Sequence, residues 1–459
     1  MTRAARRALA ALIGAGLFVV ACTVPVSPSA SPSISVQPSP TAEPTPGVGD
    51  VVPAPGSTST VYGPNPGAIV VAIDPGHGGC LDWGVPDPER RGVDFSEKTM
   101  TLAIAHELRR LLEEQGVTVV MTRTDDSALA GDDYPDLGCH GPPWRDVNGD
   151  GEAGFDDTGA TRTRDELQAR IDLVNLARAD LLVSIHVNSL VANGVVVEAA
   201  ATLTYYTDEV PWGIAAGFRL GHFVQDGVVD ALDGVATYDR QDRGVEPVNF
   251  YIIGAPLFVP TEERPDPRKQ PTRGILMPGV LTEVGSITLA AEHDLLGTAV
   301  GQAAAAEGIF DGIATYLVDR PIAARYDALI PGGTAGGVAE AVDGLGPPYW
   351  AGSLDGLELP DGLPIRLTNT GTEVWPAGLQ LIGGWSATDQ PYLRVAPEAL
   401  ESLGVVVPPL APGESVELHM PVAIPDIAGR QVLWVTLADA SGAWTDRGLA
   451  PLQLAFEAP

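Results

Sequence analysis

Residues Ile69-Val70-Val71-Ala72-Ile73 form an unbroken apolar run closed by Asp74-Pro75-Gly76. A short continuous apolar run ending in such a turn signal predicts a buried strand. Downstream, Met100, Ile104, Leu108 and Leu111 recur at helical spacing, and Gly116 supplies a C-terminal stop. Val117, Val119 and Met121 then alternate as a second strand. Strand, helix, strand at this spacing is a βαβ unit, so the chain is expected to fold as α/β, with a mostly parallel twisted sheet flanked by helices. The pattern continues with a helix over Leu167–Ala179, a strand over Leu181–Ile185, a strand over Val280–Thr282 and an alanine-rich helix from Val300 to about Leu317.

The regions on either side have different compositions. Arg3, Arg6 and Arg7 precede the apolar run Ala8–Ala21, which is too short to span a bilayer and has the layout of an export signal over 1–21. Val19-Val20-Ala21-Cys22 resembles a bacterial lipobox, which would make Cys22 a lipidated N-terminus and anchor an exported protein to a membrane of the cell envelope. Residues 22–67 are Pro, Ser, Thr and Gly with few large apolar side chains, the composition of a disordered tether. At about 3.1 Å per residue its reach is at most ~140 Å. In an oxidising compartment Cys80 and Cys139 either pair as a disulfide or remain two thiols.

The 459 residues carry a net charge of −32, which repels nucleic acid and anionic membrane surfaces. Nucleic acid is thereby excluded as a partner, and contact with a membrane is left to the lipid anchor.

Four acid or imidazole side chains fall at strand ends or a helix start. His77 follows the first strand, Glu97 opens the first helix, His186 follows Leu181–Ile185 and Glu283 follows Val280–Thr282. Ligands of open α/β sheets bind in the crevice beyond the carboxyl ends of the strands. Two imidazoles and one carboxylate make a catalytic zinc site that keeps a position open for water. A further carboxylate can take the proton from that water and return it to a leaving amine.

These residues lie in "VAIDPGHGG", "SEKTMTLAIAHELRRLLEEQGVTVVMTR", "ADLLVSIHVNS" and "GVLTEVGSIT". In this order the four segments resemble the motifs of the zinc-dependent N-acetylmuramoyl-L-alanine amidases, and the likeness spans 69 to about 318. The resemblance implies hydrolysis of the bond between N-acetylmuramic acid and L-alanine in peptidoglycan. It also implies that His77, Glu97 and His186 are zinc ligands and that Glu283 is the catalytic carboxylate. Thr122-Arg123, Arg170, Asn175 and Asp242-Arg243-Gly244 match recurring family positions and are expected to serve structure or line the groove. The chain departs from the family in a lengthened link between His77 and Glu97 and in insertions at 128–162 and between Asp242 and Met277. Two alternatives stand beside hydrolysis of that bond: a peptidoglycan-binding lipoprotein without activity, and a zinc peptidase acting on stem peptides.

Within the insertion at 128–162, Asp146, Asn148, Asp150, Glu152 and Asp157 supply oxygens at calcium-loop spacing, and Gly151 permits the sharp turn. The loop resembles the dockerin type and predicts Ca²⁺ as a second ion beside Zn²⁺, holding the insertion next to the groove. After the amidase-like region 68–319, residues 320–350 read as a Gly/Ala-rich connector. Residues 351–459 break into short β-type runs with regular turns, predicting a β-sandwich that resembles an immunoglobulin-like module. Trp375, Trp434 and Trp444 form either a carbohydrate-facing platform or part of the buried core, and the core is expected for at least Trp434, which lies within an apolar strand.

Overall fold

The computed structural model describes residues 69–86, 91–148, 153, 164–192, 195–254, 274–328, 351–353, 362–388, 400–421 and 428–458. The export signal, Cys22 and the tether lie outside these residues, as do Asp150, Glu152 and Asp157 of the expected calcium loop.

In chain order the first unit contains β1 (Val70–Pro75), α1 (Glu97–Glu114), β2 (Thr118–Met121), α2 (Arg164–Leu176) and β3 (Leu181–Asn188). It continues with β4 (Ala201–Tyr206), α3 (Phe218–Val235), β5 (Gln241–Pro247), β6 (Gly279–Ser286), α4 (Ala290–Leu296) and α5 (Ala299–Val318). The sheet order is β2-β1-β3-β6-β4-β5. Every neighbouring pair runs parallel except β6 with β4, so the expected mostly parallel sheet carries one antiparallel junction.

Both faces of the sheet are covered, which is why its strands read as continuous apolar runs rather than alternating ones. Val71, Ile73, Val183 and Ile185 pack beneath α1, α3 and α5 with Ile104, Val224 and Ile309. On the other face Ala72, Leu182, Leu203 and Leu281 meet Ile171 and Val174 of α2. α1 ends at Glu114, and Gly116, just past its C-cap, takes a φ of 80° that suits glycine.

β3 and β6 are longer than their apolar cores predict. His186 and Glu283 therefore lie inside strands rather than beyond them. Parallel pairing carries on past the apolar residues because each backbone still finds a partner, and Glu283 sits in register with His186.

The later strands are β7 (Ala324–Ala328), β8 (Ala351–Ser353), β9 (Leu363–Asn369), β10 (Leu379–Thr388), β11 (Glu401–Val407), β12 (Ser415–Met420), β13 (Gly429–Asp439) and β14 (Leu452–Ala458). They form two sheets, β7-β9-β12 and β8-β14-β13-β10-β11. The two share a core of Ile365, Leu367, Trp375, Leu381, Val435 and Trp444. Trp375 and Trp444 lie in this core at 1% exposure each, whereas Trp434, 2% exposed, is buried outside it: its strand neighbours Leu433 and Val435 face the core, so alternation turns Trp434 to the other side of the sheet. One boundary shifts: β7 falls in the expected connector, yet pairs antiparallel with β9 and so belongs to these sheets.

Candidate active site

The turn after β1 is held from below by buried cations. Asp74, 1% exposed, accepts hydrogen bonds from Thr122 Oγ1 (2.6 Å), Ser184 Oγ (2.6 Å) and Arg170 Nη1 (2.9 Å). Arg170 also donates to Glu166 Oε1 (2.9 Å), the Pro75 carbonyl (2.9 Å) and the His77 carbonyl (2.6 Å). Arg123 Nη2 donates to the carbonyls of Gly76 (3.0 Å) and Lys98 (2.7 Å). Burial, with the neighbouring Arg170 charge, brings Arg123 down to about 10. Thr122, Arg123 and Arg170 thus support the turn rather than line a groove. Asn175 is likewise structural, bridging the Gly274 carbonyl and the Leu276 N–H. Asp242 bonds Gln225 and the Gly244 N–H.

This scaffold holds His77 at φ 62°, a conformation uncommon outside glycine, and presents its ring to the end of the sheet. Gly76 must lack a side chain, because a Cβ there would meet the His186 ring at 2.4 Å. Glu97 is the first residue of α1, where the helix dipole favours a negative charge. Its Oε1 accepts from the Val187 N–H (3.0 Å) and lies 3.0 Å from His186 Nδ1. Its Oε2 accepts from the Val85 N–H (2.8 Å) and lies 3.2 Å from His77 Nε2. Burial raises the Glu97 carboxyl, but the His77 charge and the two imidazole hydrogen bonds pull it well below the usual carboxylate range.

The ligand atoms of His77, Glu97 and His186 lie within 4.8 Å of one another. The expected trio therefore converges, and its donor set is that of a catalytic zinc site with three protein ligands. Glu283 is half-buried beside it, and its Oε2 is enclosed without a hydrogen-bond partner. Burial, reinforced by the Glu97 charge, pushes its carboxyl well above the ordinary range.

One functional residue escaped sequence reasoning. Asp82 Oδ1 stands 2.7 Å from His77 Nδ1, leaving Nε2 to face Glu97. Burial opposes the charged imidazole, but Asp82 and Glu97 outweigh it and hold His77 well above its ordinary pKa. Asp82 lies in the lengthened link, whose chain folds back through a Gly78 N–H to Asp82 carbonyl bond of 2.8 Å. Gly78-Gly79 followed by the first carboxylate was the available signal. Cys80 is anchored by Asp132 (2.9 Å) and is joined to Cys139 as a disulfide, so the link is tied to the insertion at 128–162. The same link caps α1 through Val85 and Trp83 carbonyls that accept from the Glu97 and Lys98 N–H groups. A carboxylate that orients a metal-binding imidazole is typically worth about 10–100-fold in metal affinity. Asp82→Ala should therefore weaken zinc binding by about that range in chelator competition, and unchanged affinity would remove Asp82 from this role.

In the calcium-loop segment, Asn148 is buried, and Asp165 accepts from the Val147 and Asn148 N–H groups at 2.8 and 3.0 Å. His293, buried between Arg91 and the Phe95 carbonyl, is a structural imidazole outside the metal trio.

An α/β sheet with two imidazoles and two carboxylates gathered at its carboxyl end has the donor set used by metal-dependent hydrolases. The sequence profile of the N-acetylmuramoyl-L-alanine amidases matches residues 71–315, more than half of the chain. The chain belongs to this family and is a peptidoglycan amidase, an enzyme of cell-wall breakdown. It is 25% identical over 251 residues to the germination-specific N-acetylmuramoyl-L-alanine amidase of Bacillus subtilis (strain 168), covering 55% of this chain and 81% of that protein. A shorter match, 42% identical over 60 residues, joins it to the probable cell wall amidase LytH of Staphylococcus aureus, covering 13% of this chain and 20% of that protein. Among solved structures, the catalytic domain of CwlV, an N-acetylmuramoyl-L-alanine amidase from Bacillus (Paenibacillus) polymyxa var. colistinus, is similar at 26% identity and a TM-score of 0.36. That similarity covers 54% of this chain and 98% of that one.

Proposed function

We propose that His77, Glu97 and His186 hold a zinc ion and that Glu283 is the proton-transferring carboxylate for cleavage between N-acetylmuramic acid and L-alanine. The observation that carries this reading is the convergence of the three ligand atoms within 4.8 Å, beside a buried carboxylate oxygen that has no partner. Zinc bound there supplies a Lewis acid that polarises the lactyl carbonyl and makes water nucleophilic near neutral pH. Glu283 accepts the proton of the attacking water as the new carbon–oxygen bond forms. It then delivers that proton to the departing nitrogen of L-alanine as the carbon–nitrogen bond breaks. Asp82 fixes the His77 ring, and the Arg170 and Arg123 contacts fix the turn that bears it.

An exported, cell-envelope location accords with the family. We read Cys22 as the lipid anchor and residues 22–67 as the tether that lets the catalytic unit search the wall polymer; the basic-apolar start and the lipobox-like ending support this. Two sheets around one tryptophan-containing core support an immunoglobulin-like module after the connector. A calcium ion at Asp146–Asp157 rests on ligand spacing alone.

Incubation of the zinc-loaded protein with purified muropeptides should release intact stem peptides beginning at L-alanine, read by mass spectrometry. Cleavage within the stem would instead make the chain a peptidase. His186→Ala should lose both zinc and activity, and stoichiometric zinc in that variant by elemental analysis would overturn the ligand assignment.

A further inference from the structure

Glu283 is the last residue at which β6 keeps regular pairs on both sides. Toward β3 the register shifts between Glu283 and Ser286, where three residues of β6 advance against two of β3. Toward β4 the pairs end at Glu283 opposite Leu203. Continued at the same register, that ladder would set Gly285 against Ala201.

Side chains take over from the ladder at this point. Glu292 of α4 inserts its Oε2 between the two strands and accepts from the Ser286 N–H (2.7 Å) and the Ala201 N–H (3.2 Å). Arg240, just ahead of β5, donates from Nη2 to the Val284 carbonyl (3.0 Å) and to Thr202 Oγ1 (2.8 Å). Thr202 Oγ1 donates to the same carbonyl at 3.0 Å. Arg240 Nε and Glu292 Oε1 close the arrangement at 2.7 Å. One carboxylate and one guanidinium thus satisfy backbone groups that a strand partner would otherwise take. Gly285 leaves room for them, since a Cβ there would meet Glu292 Cδ at 2.8 Å.

Glu292 is 1% exposed and the Arg240 side chain 2%. A buried ion pair is often no more stabilising than apolar side chains of like volume. Stability alone therefore gives little reason for charge here, whereas position gives one. The Val284 carbonyl and the Ser286 N–H belong to the first and third residues after Glu283. α4 also reaches the ligand side of the site. His293, next to Glu292, donates from Nε2 to the Phe95 carbonyl (2.8 Å), two residues before Glu97. One seven-residue helix so links the backbone of Glu283 to that of Glu97.

We propose that Arg240 and Glu292 are positioning residues, a charged wedge that parts β6 from β4 and holds the Glu283 carboxyl toward the His77–Glu97–His186 cluster. The inference rests on the reading of Glu283 as the proton carrier. Both residues act through the strand end that bears it.

The test compares Glu292→Gln, Glu283→Gln and the double variant as full-length, zinc-loaded proteins. Glutamine keeps the size of the Glu292 side chain but offers one acceptor oxygen and no charge to Arg240. In Glu292→Gln, kcat should fall about 10–100-fold, with KM within about twofold and zinc content unchanged. In the Glu283→Gln background the same change should lower kcat hardly further, because residues that act as a unit are not additive. A purely structural pair would lower turnover by the same factor in both backgrounds, and that result would overturn the proposal. Loss of zinc from Glu292→Gln would do the same. Amide hydrogen exchange at Ala201 and Ser286 should quicken by about tenfold or more in Glu292→Gln, and unchanged exchange there would show that no wedge holds the strand end. Arg240→Lys keeps the charge without the forked contacts. It should show a smaller loss of kcat with the same non-additivity, and it serves where Glu292→Gln folds poorly. Near-parental turnover in Glu283→Gln alone would remove the proton carrier and the proposal with it, a result distinct from failure of the wedge.

Discussion

Glu283→Gln should lower amide hydrolysis by about 10²–10⁴-fold while zinc content stays near that of the parent protein. The amide keeps the shape of the carboxyl and can still hydrogen-bond, but it cannot take a proton from water. The three groups converging at 4.8 Å are untouched, so metal binding has no reason to fail. Stability should move the other way. In the metal-free protein, burial and Glu97 disfavour the ionised Glu283 carboxyl. A raised carboxyl pKa means that ionisation costs the folded state more than the unfolded one at neutral pH. A neutral amide removes that cost, so the urea midpoint of the metal-free variant should not fall and is expected to rise. Active sites commonly hold strain of this kind against stability. Near-parental turnover, or loss of zinc together with turnover, would overturn the division between ligand and proton carrier.

Arg170→Met should destabilise the fold by about 3–5 kcal/mol, the range seen when one partner of a buried ion pair is removed. Arg170 is 1% exposed and binds two buried carboxylates, Asp74 and Glu166, as well as two carbonyls of the metal-site turn. Methionine fills much of the volume but leaves both carboxylates without their cation. Arg170→Lys should recover only part of the loss, since an ammonium cannot reproduce the forked contacts. The pH dependence follows from Asp74. Burial raises its pKa, but Arg170 and the Ser184 and Thr122 hydroxyls outweigh burial and leave it below the ordinary value. A carboxyl depressed on folding contributes stability that is complete above its unfolded pKa of about 3.9 and lost as pH falls through the folded value. In Arg170→Met much of that depression disappears, so the variant should lose stability at a higher pH than the parent. Urea midpoints measured from pH 7 downward test this, and superimposable curves for the two proteins would exclude the role assigned to Arg170.

Continuous apolar runs announced strands buried on both faces, because a two-sided sheet removes the reason for alternation. Helical spacing from Met100 to Leu111 announced α1 for the same kind of reason, since one stripe must face the sheet. His77, Glu97, His186 and Glu283 stood out because chemistry-bearing groups sat where apolar periodicity stopped, and four ordered segments shared a family pattern. All of this is local in sequence.

What required the folded chain is what depends on distance between segments. Residues 97 apart, His186 and Glu283, are neighbours because parallel strands register them, and the strands run on to include both. Asp82 became a partner of His77 only when the lengthened link folded back across Gly78-Gly79. Arg170, 96 residues from Asp74, reads on its own as another helix cation; burial makes it the counter-charge under the turn. Spacing along a chain encodes secondary structure because helices and strands repeat. Electrostatic partners have no repeat, and arise only where tertiary packing excludes water and brings distant segments together.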